Sequence, residues 1–311
     1  MDDRTLLDAL TPTAEKLVDR HLSTTKEWFP HELTPWERGA ELRDAQGDWQ
    51  PELPVDPAVR SAVFVNLLTE DNLPYYFRDI ERMFGRDGIW GEWNRRWTAE
   101  EGRHSIVLRD YVTLARLFDP VELERGRMAQ VSLGEVPEPP SAADGIVYVA
   151  LQELATRISH RNTGKLLEDP VGYQVMARVG ADENLHYLFY RDLVSAALEV
   201  DPSTVVIAIE RQVREFEMPG TGIPDFSAHA KRIAKAGIYD FSSHHDQILQ
   251  PVVMRHWALE EIEGLSPEAE EARASCVDRI GKIGKAAARQ ASRRAEREQA
   301  AAAEPELVSA G

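Results

Sequence analysis

Two four-residue words combine residue types that bind hard metal ions at a spacing that lets both side chains act together: Glu101-Gly102-Arg103-His104 and Glu183-Asn184-Leu185-His186. A three-residue step on a helix sets carboxylate and imidazole on one face about one turn apart, so both can converge on a single ion. Either word alone is a weak signal. Glu and His are ordinary surface residues, and Thr98-Ala99-Glu100-Glu101 also reads as a capping box. The words sit in a larger order, however. Glu70 stands 31 residues before Glu101, and Glu153 stands 30 before Glu183, so the chain reads Glu and then Glu-x-x-His twice over.

Four carboxylates gathered inside a bundle without compensation would cost more than the roughly 5–15 kcal/mol by which a domain is stable, since even one unpaired buried charge costs several. Two divalent cations and two neutral imidazoles would make the set formally neutral, and such oxygen and nitrogen donors suit iron or manganese. One Glu from each of two helices with Glu-x-x-His from each of two others is the ligand pattern of ferritin-like di-iron and di-manganese bundles. The competing arrangement is a metal-free bundle in which Arg103, Arg157 and Arg191 pair the carboxylates. It leaves the duplicated spacing without a cause.

Such a site needs four long helices, and the punctuation of the chain allows them. Gly and Pro, 19 and 18 in number, cluster at Trp49 to Pro57, Gly134 to Pro140 and Pro219 to Pro224 and leave long stretches between. Apolar residues recurring at three- and four-residue steps predict a helix from Pro57 to Phe84, kinked at Pro74. Thr98 is placed to cap a helix that runs to Phe118 and stops at Asp119-Pro120. Further long helices are expected from Ala143 to Leu167 and from Pro170 to Val200, the second opening on a first-turn proline. Shorter ones follow at Thr204 to Phe216, Asp225 to Ala236 and Asp240 to Ile262, the last interrupted at Pro251. Strand-like alternation is nearly absent. The expected class is all-α, a ferritin-like four-helix bundle core with additional helices, in one domain over residues 1–288. From Arg289 the sequence has almost no apolar stripe, so residues 289–311 are expected to form a frayed or disordered tail.

Composition narrows the partners. With 311 residues, 43% apolar and 29% charged, the chain is that of a globular protein. Its 53 acidic against 36 basic residues give a net charge of -17, which disfavours nucleic acid and anionic membranes. No apolar window is long enough for membrane insertion, and Met1-Asp2-Asp3-Arg4 lacks the features of a signal peptide, so a cytoplasmic protein is expected. Cys276 is the lone cysteine, which excludes an intrachain disulfide, a thiolate-rich zinc site and a cysteine-held cluster. Any metal must be held by His, Asp and Glu.

The words around the ligands add a family. LLTEDNLPYY (67–76), RWTAEEGRHSIVLRDY (96–111), LQELATRISHRNTGK (151–165) and DENLHYLFYRD (182–192) resemble the soluble acyl-acyl-carrier-protein desaturases, above all their actinobacterial branch, in a likeness that runs from Leu6 to Ile262. The resemblance implies two irons held by Glu70, Glu101, His104, Glu153, Glu183 and His186, with Glu101 and Glu183 bridging and Glu70 and Glu153 terminal. It also implies that the Thr156 hydroxyl approaches the oxygen-binding side, that Asp182 holds the imidazole of His104, and that Trp28 joins Asp182 and His104 in a path for electrons. From the residues alone, Thr156 bonds back to its own helix as readily, and Trp28 can be core packing. The implied reaction inserts a cis double bond into a saturated acyl chain on acyl carrier protein, with O2 and a ferredoxin-type electron donor, in a homodimer.

The sequence departs from the plant members at Gly102, Ser105 and Asn184-Leu185, which leaves the carrier-protein surface open. Candidates for a basic docking patch are Arg157, Arg161, Lys165 and Arg178, or the run Lys282, Lys285, Arg289, Arg293, Arg294 and Arg297; a solvated helix face is the plain reading of both. A ribonucleotide reductase radical subunit-like oxidase and a non-enzymatic ferritin-like iron-binding protein are the alternatives that share such a site.

Overall fold

Proline and aspartate mark where the helices begin. Asp56-Pro57, Asp119-Pro120, Asp169-Pro170 and Asp201-Pro202 each open a helix, with the Asp side chain accepting a hydrogen bond from a free first-turn N–H and Pro occupying a position that needs no donor. The computed structural model describes residues 1–39, 55–134, 136, 138–220 and 222–303, without the side chains of 294 and 297–303. Most of the Pro-rich stretch after Trp49, and residues 304–311 of the expected tail, lie outside the described residues.

The described residues form twelve α-helices and no strand. In chain order they are α1 (Asp3–Thr24), α2 (Pro30–Leu33), α3 (Pro57–Glu70), α4 (Leu73–Phe84), α5 (Gly88–Leu114) and α6 (Pro120–Leu133), followed by α7 (Ala142–Leu166), α8 (Pro170–Val200), α9 (Pro202–Glu215), α10 (Phe226–Lys235), α11 (Phe241–His244) and α12 (Pro267–Ala303). The core is a ring of four: α3 packs on α5 and α7, and α8 packs on the same two from the other side. This is the all-α four-helix core the sequence predicts. α1 covers α5 and α8, α4 runs against α5 and α7, and α12 lies on α9.

Four elements differ from expectation; one is the stretch from Asp240 to Ile262, expected to be interrupted at Pro251, which is α11 followed by a π-helix, His245–His256, that runs through Pro251. The helix predicted from Pro57 to Phe84 is two helices, because Pro74 has no N–H to give and its ring clashes with the carbonyl four residues back, which belongs to Glu70. Glu70 is therefore the last residue of α3. The helix expected to start at Thr98 starts at Gly88; Thr98 is interior and its hydroxyl donates to the carbonyl of Asn94 at 2.7 Å. Trp90, Trp93 and Trp97 continue the buried face of His104 and Leu108 back through the added turns, and their burial outweighs the polar residues between them. Finally, α12 runs past Arg289 to Ala303, whereas a frayed tail was expected there. Cys276, Ile280 and Ala287 anchor its first half, and Ala, Glu, Gln and Arg, all strong helix formers, continue it.

The hydrophobic core is split in two. Along α5, Trp93 and Trp97 belong to one cluster and Val107, Leu108 and Tyr111 to the other; along α8, Val175 and Val179 belong to the second and Phe189 and Tyr190 to the first. Between them, at the level of residues 100–104 and 182–186, lies a buried polar layer.

Candidate metal centre

That layer holds all six residues singled out by spacing. Glu70, Glu101, His104 and Glu183 each bring one ligand atom within 4.8 Å of one another, and so do Glu101, Glu153, Glu183 and His186. Glu101 and Glu183 belong to both groups, while Glu70 and Glu153 belong to one each. His104 Nδ1 lies 3.2 Å from Glu101, 3.7 Å from Glu70 and 3.7 Å from Glu183. His186 Nδ1 lies 2.7 Å from Glu101, 3.7 Å from Glu153 and 3.9 Å from Glu183. Every one of the six is nearly or fully buried.

The donor atoms converge and satisfy one another only in part, through His104 Nδ1 and Glu101 Oε2 at 3.2 Å. Glu101 Oε1, Glu153 Oε2, Glu183 Oε2 and His186 Nδ1 are buried and have no hydrogen-bond partner, even where two of them approach to 2.7 Å. Atoms that close and that poorly aligned point at common positions between them rather than at each other. Buried acceptors are ordinarily paired, so this set fits cations. The metal-free arginine pairing is not what forms: Arg103 reaches Asp182 and Glu100, Arg191 pairs with Asp192, and Arg157 stands beside Arg161.

Protonation tells the same story. Burial, and after it the charges of Glu101 and Glu153, push Glu183 well above the usual carboxylate range. Burial also raises Glu101, against the pull of His104. Burial works the other way on His104 and His186, yet the carboxylates around them outweigh it and raise both imidazoles well above their ordinary value. At Glu70, burial is overcome by the neighbouring imidazoles, His104 at 3.7 Å and His160 hydrogen-bonded at 3.0 Å, which hold the carboxyl far below the ordinary range. A centre that pulls in protons on this scale demands positive charge.

The outward nitrogens of the histidines are held by carboxylates. His104 Nε2 faces Asp182 at 3.4 Å, and His186 Nε2 faces Glu100 at 3.0 Å. Trp28 donates its indole N–H to Asp182 at 2.8 Å and lies parallel to His104, with ring centroids 6.5 Å apart. Arg103 and Arg178 also bind Asp182 and sit over the Trp28 ring. Asp182 and Trp28 are thus joined to His104 as one chain of contacts. Thr156 is buried and its hydroxyl donates to the carbonyl of Glu153 at 3.0 Å, the local bond that its residue type alone allows.

Several residues of the site escaped the sequence reading. Glu100 holds His186 and also accepts from His21 at 2.8 Å; burial would raise its carboxyl, but these two histidines keep it well below the ordinary range. Its signal was present, since it precedes Glu101 as Asp182 precedes Glu183, but a capping box explained it as well. His160 donates to Glu70 at 3.0 Å and Trp97 to Glu153 at 3.1 Å. His160 falls seven residues after Glu153, two turns along the same face of α7.

A cavity of about 230 Å³ opens on this layer. It touches Glu70, Glu101, Glu153 and Glu183 but neither His104 nor His186, so the carboxylate side of the centre faces it. It continues along α4 past Leu73, Ile80 and Met83. A second, smaller cavity shares Thr69, Glu70, Thr156, Met218 and Pro219 with the first and extends over α3 and α10. Together they pass the centre on one side. The described residues contain no helix long and apolar enough to cross a membrane.

Comparison with known proteins places this architecture. A family model described as fatty acid desaturase matches residues 2–308. The chain is 43% identical over 283 residues to a Mycobacterium tuberculosis protein named as the acyl-acyl-carrier-protein desaturase DesA1, a match covering 88% of this chain and 83% of that one. It is 31% identical over 318 residues to the chloroplastic acyl-acyl-carrier-protein desaturase 6 of Oryza sativa subsp. japonica, covering 88% and 73%. The X-ray structure of DesA2 from Mycobacterium tuberculosis superposes with a TM-score of 0.66 over 86% of this chain and 99% of that chain, at 25% identity. The buried Glu and His layer of this chain could hold metal, as a metal-dependent family requires, and the chain belongs to the fatty acid desaturases.

Proposed function

We infer that the protein is an acyl-acyl-carrier-protein desaturase working on a pair of iron ions in the cytoplasm. The observation that carries this is the two overlapping ligand groups, with Glu101 and Glu183 in both, opening on a channel past the carboxylates. Glu70 and His104 would complete one iron, Glu153 and His186 the other. The overall reaction removes two hydrogens: a –CH2–CH2– unit, O2, two electrons and two protons give –CH=CH– and two waters. Iron at this position supplies reductive activation of O2 and cleavage of an unactivated C–H bond, which no side chain achieves unaided.

The chain's own residues do the rest. Each buried methylene contributes about 0.8 kcal/mol, so the apolar walls drive a long acyl chain into the channel, less its ordering cost. Asp182 and Glu100 fix the ring orientation of His104 and His186. Thr156 lies where the two cavities meet, on the carboxylate side, and its hydroxyl is the candidate proton donor there. The Trp28–Asp182–His104 contacts are the candidate path for electrons from a ferredoxin-type donor. The catalytic domain spans residues 1–288 and works as a homodimer.

Docking of the carrier protein is assigned to basic side chains, of which Arg161 and Lys165 are exposed and Arg157 is half-buried. Arg178 is already engaged by Asp182, so Arg157, Arg161 and Lys165 are the better candidates of that group. In the C-terminal run Lys282 pairs with Asp278, and the side chains of Arg294 and Arg297 lie outside the described residues. Carrier binding should weaken as salt is raised.

The test is anaerobic iron loading, reduction, and addition of O2 with stearoyl- or palmitoyl-carrier protein, followed by mass spectrometry of the acyl group. A mass lower by two hydrogens, abolished in folded Glu183→Ala or His186→Ala, is the expected result. No such loss at any acyl length overturns the assignment.

A further inference from the structure

The channel wall nearest the carboxylates is not purely apolar. Asn72 and Gln130 both line the larger cavity and are 2% and 4% exposed, yet Asn72 Oδ1 and Gln130 Oε1 have no hydrogen-bond partner. The Tyr76 hydroxyl, in the same cavity, is buried with Asn72 as its polar neighbour, and no hydrogen bond of good geometry satisfies it. These atoms belong to three different elements: the break between α3 and α4, the first turns of α4, and α6. All three line the same cavity, as do Pro219 and Gly222. The Thr69 hydroxyl donates to the carbonyl of Pro219 at 3.4 Å, and Gly222 comes so near Gln130 that a β-carbon there would lie 2.7 Å from Oε1. The bare glycine leaves that oxygen room.

A saturated hydrocarbon cannot use such atoms. Buried carbonyl-type acceptors left unpaired destabilise a fold, so a wall that keeps two of them beside a phenol is built for a partner that donates hydrogen bonds. Leu73, Ile80, Met83 and Val149 supply the apolar surface a methylene chain needs in the same cavity. Resting on the acyl-thioester reading above, we propose that Asn72, Tyr76 and Gln130 form a hydrogen-bonding subsite that takes a neutral N–H or O–H group of the bound thioester. Engagement of that group fixes how far the chain advances past Glu70 and Glu153, and so which methylene pair faces the metals. These are positioning residues for the substrate. Two sources carry the required chemistry: an amide of the carrier's pantetheine arm, or a hydroxyl on the acyl chain.

Binding separates them. Iron-loaded, full-length protein is titrated calorimetrically with one C18 chain in three forms: on pantetheine, on a simple alkanethiol without amides, and as monohydroxylated chains on the same alkanethiol. The wild type should bind at least one polar form about tenfold more tightly than the plain one, the worth of one or two hydrogen bonds. Asn72→Leu and Gln130→Leu should erase that preference without weakening the plain thioester. A preference lost on pantetheine identifies the amide, and one lost on the hydroxylated chain identifies the hydroxyl. If a leucine variant does not fold, Tyr76→Phe, which removes one oxygen and no other volume, makes the same comparison. Equal affinity ratios in wild type and variants overturn the subsite and leave water as its occupant. Failure of every thioester to bind overturns the acyl reading itself.

Discussion

Around His104 the outer nitrogen faces Asp182, and beyond Asp182 lie Trp28, Arg103 and Arg178; around His186 it faces Glu100, and beyond Glu100 lie His21 and Arg96. Each outer carboxylate is the residue before a shared glutamate, and each serves the histidine of the opposite helix: Asp182 on α8 holds His104 on α5, and Glu100 on α5 holds His186 on α8. The terminal glutamates match as well, Glu70 taking a ring N–H from His160 and Glu153 one from Trp97. The halves therefore agree in the candidate ligand atoms and in the groups that orient them, and differ one layer farther out. An indole with two arginines over its ring and an imidazole carried by α1 do different work. Metal geometry constrains the inner atoms twice over, while the outer contacts are free to specialise.

The inner equivalence breaks most visibly by removing what is shared. Glu101→Ala or Glu183→Ala should abolish binding of both ions, whereas Glu70→Ala or Glu153→Ala should each leave one; metal analysis of the purified variants reads the count directly. Equal losses from shared and terminal residues would mean that the two positions are not bridged. Next in size, Asp182→Asn and Glu100→Gln should each weaken metal affinity by about 10–100-fold, as loss of an orienting carboxylate does elsewhere.

The outer difference is sharpened by Trp28→Phe and His21→Phe. Only the first should slow reduction of the iron-loaded protein by an external donor in stopped flow; equal slowing would remove the one-sided path for electrons. Acidity bears on both halves together. The raised values of Glu101, Glu183, His104 and His186 mean that the metal-free protein holds protons which cations must displace. Affinity for Fe(II) should therefore fall as pH falls and rise as pH rises, and a flat profile between mildly acid and mildly alkaline buffer would contradict the assigned shifts. The smallest effect concerns the helix alone. Gly102 lies inside α5 between Glu101 and His104, and a β-carbon there meets nothing within 4 Å. Gly102→Ala should stabilise the protein by about 0.5–1 kcal/mol in thermal unfolding and leave metal affinity unchanged.

Much of this was legible before any coordinates. Glu-x-x-His is a one-turn device, so its two residues share a face whatever surrounds the helix, and the Asp-Pro starts are local chemistry too. Glu100 shows the limit: beside Thr98 it satisfied a local rule for a helix start, and only the ten added residues of α5 turned it inward toward His21 and His186. The break after Glu70 was half legible. Pro74 announced a disturbance, and whether it bends a helix or ends one depends on whether the neighbours α5 and α7 draw the next segment away. Past Arg289, α12 has no apolar stripe for periodicity to reveal, and helix propensity extends to Ala303 a helix that is already anchored.

By itself the sequence determined the candidate ligand residues, their spacing, the helical segments that carry them and the charge that argues for cations, because each follows from periodicity and charge within one segment or from counting across segments. The tertiary structure alone decided which carboxylate is shared, which outer group serves which histidine, and that the channel runs on the side away from both imidazoles. Those are relations between helices far apart in the chain, and only the packing of one side-chain face against another sets the distances on which they depend.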